Sequence, residues 1–478
     1  MKVSELFIFL SCVLSAVICV PSNIADNVDD DDAPIKYDGA QLWRIPLDRE
    51  NSKQIVSELQ ENFDASEWNT HESTVDLLLR SKSIIDARQL LTKANISYSI
   101  LIEDLQKDIE NENPPKEQIE MLQNRKARYF RYWPEMQIPE YEKSEMSGRN
   151  LLRLKGAFLG YNSLDPPMEL WPDAKWGHRM TWSAYHRMAD IVGYLEYLAK
   201  TYPDLCSVQE IGKSFEGRPL TVLRISNGNE DNRAIWIDGG IHAREWISPA
   251  AVTYVINQLI EDWENQPSYI QNIDWYILPL ANPDGYEYSH TNDRLWRKNR
   301  GGVGRGRCAG VDLNRNFGYK WGLQGASDRP CSEIFAGSKA FSEPETVAQK
   351  MFMARSAANF EAFLTFHSYG QYILYPWGYD TVVPPDYMDL DRVGKEAANK
   401  MKGISGLTYS VGPSGSLLYP AAGASDDWAK SIGIKYAYTV ELRDTGRYGF
   451  ILPAVYIEKT GEEALSFVKV IASAIHNK

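Results

Sequence analysis

The stretch AIWIDGGIHAREWISP, residues 234–249, decides how the rest of the chain is read. Ile235 to Ile237 form a short apolar run of β-branched and aromatic side chains, the composition of a buried strand, and Gly239-Gly240 ends it. Ser248-Pro249 then predicts a helix start, with serine as the cap and proline in the first turn. His242 and Glu245 therefore fall on a strand-to-helix loop at the carboxyl end of a strand, where open α/β sheets bind ligands. An imidazole and a carboxylate supply two of the three protein ligands of a catalytic zinc site. With seven histidines and 64 acidic residues in 478, such a pair also arises by chance, so the reading calls for a third ligand.

Outward from this stretch the same rhythm continues. The pattern predicts helix over 185–201, strands over 221–225, 234–238 and 275–280, and helices over 250–261 and 343–358, the latter capped by Ser342. Strand over 363–366, helix over 391–401, strand over 436–440 and a last helix over 461–475 follow. Continuous apolar strands between helices mean a sheet covered on both faces, the doubly wound α/β class. Strand 363–366 runs directly into His367, which completes a His₂Glu set with His242 and Glu245 and leaves a fourth position open. Strand 436–440 ends in Glu441, a carboxylate at the same sheet edge that can take and return a proton. Its alternative is a structural pair with Arg443. The loops NDRLWRK (292–298) and DLNRN (312–316) add arginines that either grip a carboxylate or lie as solvated surface charge.

Upstream, strands over 41–45, 75–79 and 97–103 alternate with helices over 52–61 and 84–94, a small two-layer α/β unit of a size to stand as its own domain. Asn95-Ile96-Ser97 is a glycosylation acceptor on a turn. From 104 to 181 a charged helical stretch gives way to Pro-rich, aromatic sequence with Arg149, Arg153, Lys155, Lys175 and Arg179. That segment reads as a linker, and its basic residues suit cleavage by a trypsin-like protease. Met1-Lys2 followed by the apolar residues 6–20 reads as a secretory signal peptide cut near Cys19, and Asp29 to Asp32 as a solvated tail. Cys206, Cys308 and Cys331 remain, enough for one bridge and one thiol. Cys308 and Cys331 lie in Gly/Ser/Arg-rich loops where a staple matters, whereas Cys206 sits in an apolar segment as a buried thiol. A net charge of −13 argues against nucleic acid or an anionic membrane as the main partner.

The motifs IHAREWISPA, NPDGYEY, RLWRKNR, GVDLNRNF, HSY, LYPAAGASDDW and VELRDTGRYGF together resemble the zinc metallocarboxypeptidases of the pancreatic carboxypeptidase A/B type, over nearly the whole chain. The resemblance implies a mixed, mostly parallel eight-stranded sheet flanked by helices, preceded by an α/β open-sandwich inhibitory prodomain. It implies a signal peptide over 1–19, the prodomain over 36–105, a connecting activation segment over 106–175 and the catalytic domain over 176–478. His242, Glu245 and His367 would bind one Zn²⁺, Asp312 would orient a ligand histidine, and Glu441 would be the general base and acid. Arg297 would polarise the scissile carbonyl, Asn314 and Arg315 would bind the terminal carboxylate of the substrate, and Tyr419 would close over it. Arg244, Tyr369 and Phe450 would line outer subsites, and Cys308 and Cys331 match the family's disulfide. Asp426 corresponds to the floor of the side-chain pocket, and an acidic floor suits Lys or Arg at the substrate C-terminus, as in the B type; Ala424, where the family often has glycine, narrows that pocket. The chain departs from the family in its longer, Pro-rich connection from Asp104 to Trp182. The expected protein is a secreted monomeric zymogen acting on peptide C-termini after an activating protease cuts it, with neither nucleic acid nor membrane as a partner. Carboxypeptidase A-like specificity, a non-catalytic relative that only binds peptide C-termini and a zinc amidase of the same fold are the rival readings; the complete ligand set with Glu441 speaks against the second, and Asn314, Arg315 and Tyr419 against the third.

Overall fold

The computed structural model describes residues 33–48, 51–70, 73–119, 121, 178–302 and 308–476. The signal peptide, the acidic run, and the linker basic residues from Arg149 to Lys175 lie outside the described residues.

The central sheet has eight strands: β5 (Cys206–Lys213), β6 (Pro219–Ile225), β7 (Arg233–Asp238), β8 (Ile273–Leu278), β9 (Asn359–Ser368), β10 (Tyr372–Tyr375), β11 (Ser410–Pro413) and β12 (Tyr436–Leu442), in the spatial order β11-β10-β12-β9-β7-β8-β6-β5. The middle strands β12, β9, β7 and β8 run parallel, and antiparallel pairs occur toward both edges. Both faces of these central strands are apolar, because helices cover each side. Ile235, Ile237 and Leu364 pack under the helices Ile247–Glu261 and Ile457–His476, while Trp236 and Phe363 turn to the other face with Trp428.

The sequence reading missed the peripheral elements. Strands β5, β10 and β11 are short or polar and carry little of the apolar signature of the centre, and the motif NPDGYEY begins the helix Pro283–Thr291, which was not predicted, with Asn282 as its cap. Two predicted caps also take other work. The central helix starts at Ile247, and the Ser248 hydroxyl donates to Phe366 O at 2.6 Å and accepts from Gly240 N at 2.9 Å, tying the end of β7 to β9. Ser342 donates to Glu343 Oε1 at 2.7 Å instead of capping the helix Pro344–Arg355.

The N-terminal unit is a four-stranded antiparallel sheet, order β2-β3-β1-β4, built from β1 (Gln41–Pro46), β2 (Ser66–Thr70), β3 (Thr74–Leu79) and β4 (Ser99–Ile102). Alternation along β1 sends Trp43 and Ile45 to one side, where they form a core with Leu59 and Leu91 of the helices Ser52–Asn62 and Ile84–Lys93. Leu42 faces the other way and clusters with Leu295, Tyr369 and Phe450 of the larger unit. Cys308 and Cys331 are joined in a disulfide, and Cys206 is a buried thiol at the start of β5. Asn95 is exposed on the turn after its helix, in a left-handed backbone conformation (φ 55°) that asparagine tolerates.

Candidate active site

Parallel register brings the predicted ligands to one edge of the sheet. His367 ends β9, and His242 and Glu245 sit on the loop leaving the adjacent β7. All three are buried, with ligand atoms within 4.8 Å of one another. His242 Nδ1 lies 2.8 Å from Glu245 Oε1, His367 Nδ1 lies 3.2 Å from Glu245 Oε2, and the two Nδ1 atoms face each other at 3.1 Å. Both rings thus turn Nδ1 to a common centre, while each Nε2 is engaged elsewhere: His242 with Asp312 Oδ1 at 3.1 Å, His367 with Thr365 Oγ1 at 3.2 Å. Two imidazole nitrogens and a carboxylate converging in a buried position fit a divalent cation, which would satisfy lone pairs that otherwise oppose one another. Against the cost of burial, the two imidazoles hold the Glu245 carboxyl well below its ordinary range, so it is ionised.

Arg297 donates to Asp312 Oδ2 through Nε at 3.1 Å and Nη2 at 2.9 Å, and its Nη1 lies 3.7 Å from Glu245 Oε1. Asp312, fully buried, is drawn well below the usual carboxylate range by Arg297 and His242 despite the penalty of burial. Beside the triad opens a cleft of about 650 Å³ lined by Arg297, Asn314, Arg315, Tyr419, Asp426 and Glu441. Burial raises the Glu441 pKa to about 8, with Glu245 adding repulsion and His367 and Arg297 opposing it; a dication at the triad would draw it down. Asn314 Oδ1 accepts from Ser425 N at 2.9 Å, and Arg315 spends Nε and Nη1 on the carbonyls of Gly325 and Asn314. Tyr419 stands at the rim, 40% exposed. Asp426 is buried at the floor; Thr439 and backbone N–H groups hydrogen-bond its carboxyl, yet Oδ2 has no partner among the described residues. Its neighbour Asp427 is used up by Gly378 N at 2.8 Å and Tyr379 N at 3.0 Å. Asp238, Thr365 and Thr439 lie side by side across β7, β9 and β12, so one row of the sheet runs from the wall of the triad to the floor of the cleft.

The outer residues Arg244, Tyr369 and Phe450 meet the N-terminal unit or lie against those that do. Phe450 packs against Trp68 and Tyr369, with ring centroids 5.0 Å apart in each case, and the Arg244 guanidinium lies 4.2 Å from the Phe450 ring centroid. Tyr369 donates its hydroxyl to Asp76 Oδ2 at 2.9 Å, and Asn69 Nδ2 donates to Tyr369 O at 2.9 Å. Trp68 and Asn69 also line the cleft. The sequence reading assigned no role to three further contacts. Arg44, opposite Asp76 in register and paired with it, donates to Thr445 O at 2.7 Å; Asn113 pairs with both backbone groups of Tyr185; and Glu112 forms a buried ion pair with Arg294, Oε2 to Nε at 2.7 Å. Arg294 also lies over Trp246, 3.7 Å from the ring centroid, and donates to Arg244 O and Phe450 O. RLWRKNR contains Arg294, but nothing in the charged helix around Glu112 marks that carboxylate as buried.

A family model described as zinc carboxypeptidase matches residues 191–467, and one described as carboxypeptidase activation peptide matches 43–112. The chain is 46% identical over 298 residues to carboxypeptidase B of Astacus astacus, covering 62% of this chain and 98% of the relative. It is 36% identical over 451 residues to carboxypeptidase A4 of Mus musculus, covering 92% and 95%. The crystal structure of thrombin activatable fibrinolysis inhibitor superposes with a TM-score of 0.73 at 30% identity, over 91% of this chain and 98% of that one.

Proposed function

The chain belongs to the zinc carboxypeptidase family and carries the family's activation peptide, and from that premise we propose a secreted zymogen whose cut form removes Lys or Arg from peptide C-termini, with one zinc ion at His242, Glu245 and His367. The observation that carries the basic preference is the Asp426 Oδ2 atom, a buried carboxylate oxygen at the floor of the cleft without a partner among the described residues. An apolar substrate side chain would leave it unpaired, whereas an ammonium or guanidinium group would pair with it.

When bound, zinc supplies Lewis acidity and an acidified water. The rest falls to the chain's own side chains. Glu441, facing the cleft beside the triad, holds the proton removed from the attacking water and hands it to the leaving amine nitrogen. Arg297, kept in place by Asp312, faces the scissile carbonyl and offsets negative charge as it develops on that oxygen. The Asn314 amide and Arg315 Nη2, left over from their internal hydrogen bonds, suit the free α-carboxylate, and Tyr419 closes the rim. Arg244, Tyr369 and Phe450 line the cleft toward the upstream residues of the peptide once the activation peptide has left.

In this reading residues 1–19 are the signal, 36–105 the inhibitory domain, 106–175 the connecting segment and 176–478 the enzyme, a monomer; Asn95 is a glycosylation acceptor. A trypsin-like protease cutting within residues 140–181 releases activity. The test is to cut the purified zymogen with trypsin, sequence the new N-terminus and assay short peptides. Peptides ending in Arg or Lys should give a kcat/KM at least ~10²-fold above those ending in Phe or Leu. Comparable values for Arg-ending and Phe-ending peptides would overturn the specificity, and activation only by cleavage upstream of Asp104 would overturn the scheme of release.

A further inference from the structure

His242 has an evident brace in Asp312, and His367 has a less evident one. β7 and β9 run parallel with Asp238 opposite Thr365, and His367 stands two residues further along β9, on the same side as Thr365. All three are buried. Trp236 Nε1, which can only donate, is 2.7 Å from Asp238 Oδ2, so the carboxylate accepts there. Thr365 Oγ1 is 2.7 Å from Asp238 Oδ1 and 3.2 Å from His367 Nε2. A hydroxyl has one proton to give. With that proton on Asp238, Thr365 can only accept from the imidazole, so Nε2 carries the hydrogen and Nδ1 presents its lone pair toward His242 and Glu245.

We propose that Asp238 and Thr365 are positioning residues that fix the tautomer and ring orientation of His367 for metal binding, as Asp312 does for His242, but through a hydroxyl instead of by direct contact. The consequence is that His367 is the ligand whose hold on zinc depends on a side chain as small as threonine. This rests on the metal reading given above, and the experiment separates the two.

The zinc affinity of the full chain and of its variants is measured by competition with a chelating dye, alongside thermal melts and the visible spectrum of the Co²⁺-substituted protein. Thr365→Val should bind zinc about 10- to 100-fold more weakly and shift the Co²⁺ bands, Asp238→Asn should do likewise, and Thr365→Ser, which keeps the hydroxyl, should restore wild-type affinity. A merely structural role would lower the melting temperature and leave the zinc affinity of the folded protein unmoved. If Thr365→Val does not fold, Asp238→Asn and Thr365→Ser decide. Wild-type zinc affinity in Asp238→Asn or in folded Thr365→Val, or a Thr365→Ser variant as weak as Val, overturns the proposal. A wild-type chain that binds no zinc defeats the metal reading, and this inference with it.

Discussion

Two buried carboxylates, Asp426 at the floor of the cleft and Glu112 where the activation peptide seats, are each 2% exposed, and burial raises the pKa of both. Their surroundings differ. Glu112 meets the Arg294 guanidinium with both oxygens, and that guanidinium finds two backbone carbonyls and an indole face besides. Asp426 keeps one oxygen with no partner among the described residues. Leaving a buried acceptor unmade costs ~1–3 kcal/mol, which a basic substrate side chain would recover in the reading proposed above. Here the carboxylate satisfied from within joins the activation peptide to the larger unit, and the one satisfied only in part lines the cleft.

The sharpest way to break this contrast is at Asp426. In the cut enzyme, Asp426→Ile should lower kcat/KM for Arg-ending peptides on the order of 10³-fold and raise it for Phe-ending ones, while latency of the uncut chain stays as it was. A variant that still prefers basic residues would mean the unpartnered oxygen is not the selector. Next in size, Glu112→Gln leaves Arg294 buried without its carboxylate, and loss of one member of such a pair costs about 3 kcal/mol, or ~10²-fold in the grip on the activation peptide. Activity of the uncut chain on a short peptide should rise accordingly, with the cut enzyme unchanged because Glu112 has left it; an uncut variant as silent as wild type would show that the other contacts suffice.

The smallest effect concerns a third buried carboxyl. Burial, with repulsion from Asp284, raises the Glu345 pKa to about 7, against hydrogen bonds from Phe215 N and Asn299. Because the folded value lies above the ordinary 4.5, its contribution to stability is full below pH 4.5 and is lost as pH rises through about 7. The slope is no more than ~1.4 kcal/mol per pH unit. Glu345→Gln should flatten that part of the pH profile in thermal or denaturant melts, and equal slopes in the two proteins would place the titrating group elsewhere.

The triad region was legible because its signals are local: an apolar strand, a glycine break and a ligand type at a strand end, repeated at His242, His367 and Glu441. Ser248 was read as a cap from its neighbours in sequence, but its hydroxyl answers to Phe366 across the sheet, a partner that no local pattern names. Glu112 and Asn113 lie in a charged stretch indistinguishable from a solvated helix, although Glu112 is buried and Asn113 half-buried against the larger unit, and β2, with Glu67 and Asn69 around a single Trp68, carries too little apolar alternation to stand out. Thr365 lies within the strand predicted over 363–366, and nothing in the sequence tells its hydroxyl from any other strand threonine, because its partners Asp238 and His367 meet it only through the register of the sheet.

The side-by-side placement of Asp238, Thr365 and Thr439 has a consequence for anyone redesigning this enzyme. Thr439 hydrogen-bonds Asp426, the selector in the reading proposed above, and Thr365 touches the histidine assigned to the metal, on adjoining rungs of one ladder. Rungs of a sheet do not slide independently. If Asp426 is the selector, a change at the floor is felt one rung away at Thr365, and a redesign of preference has to watch zinc affinity as well as specificity.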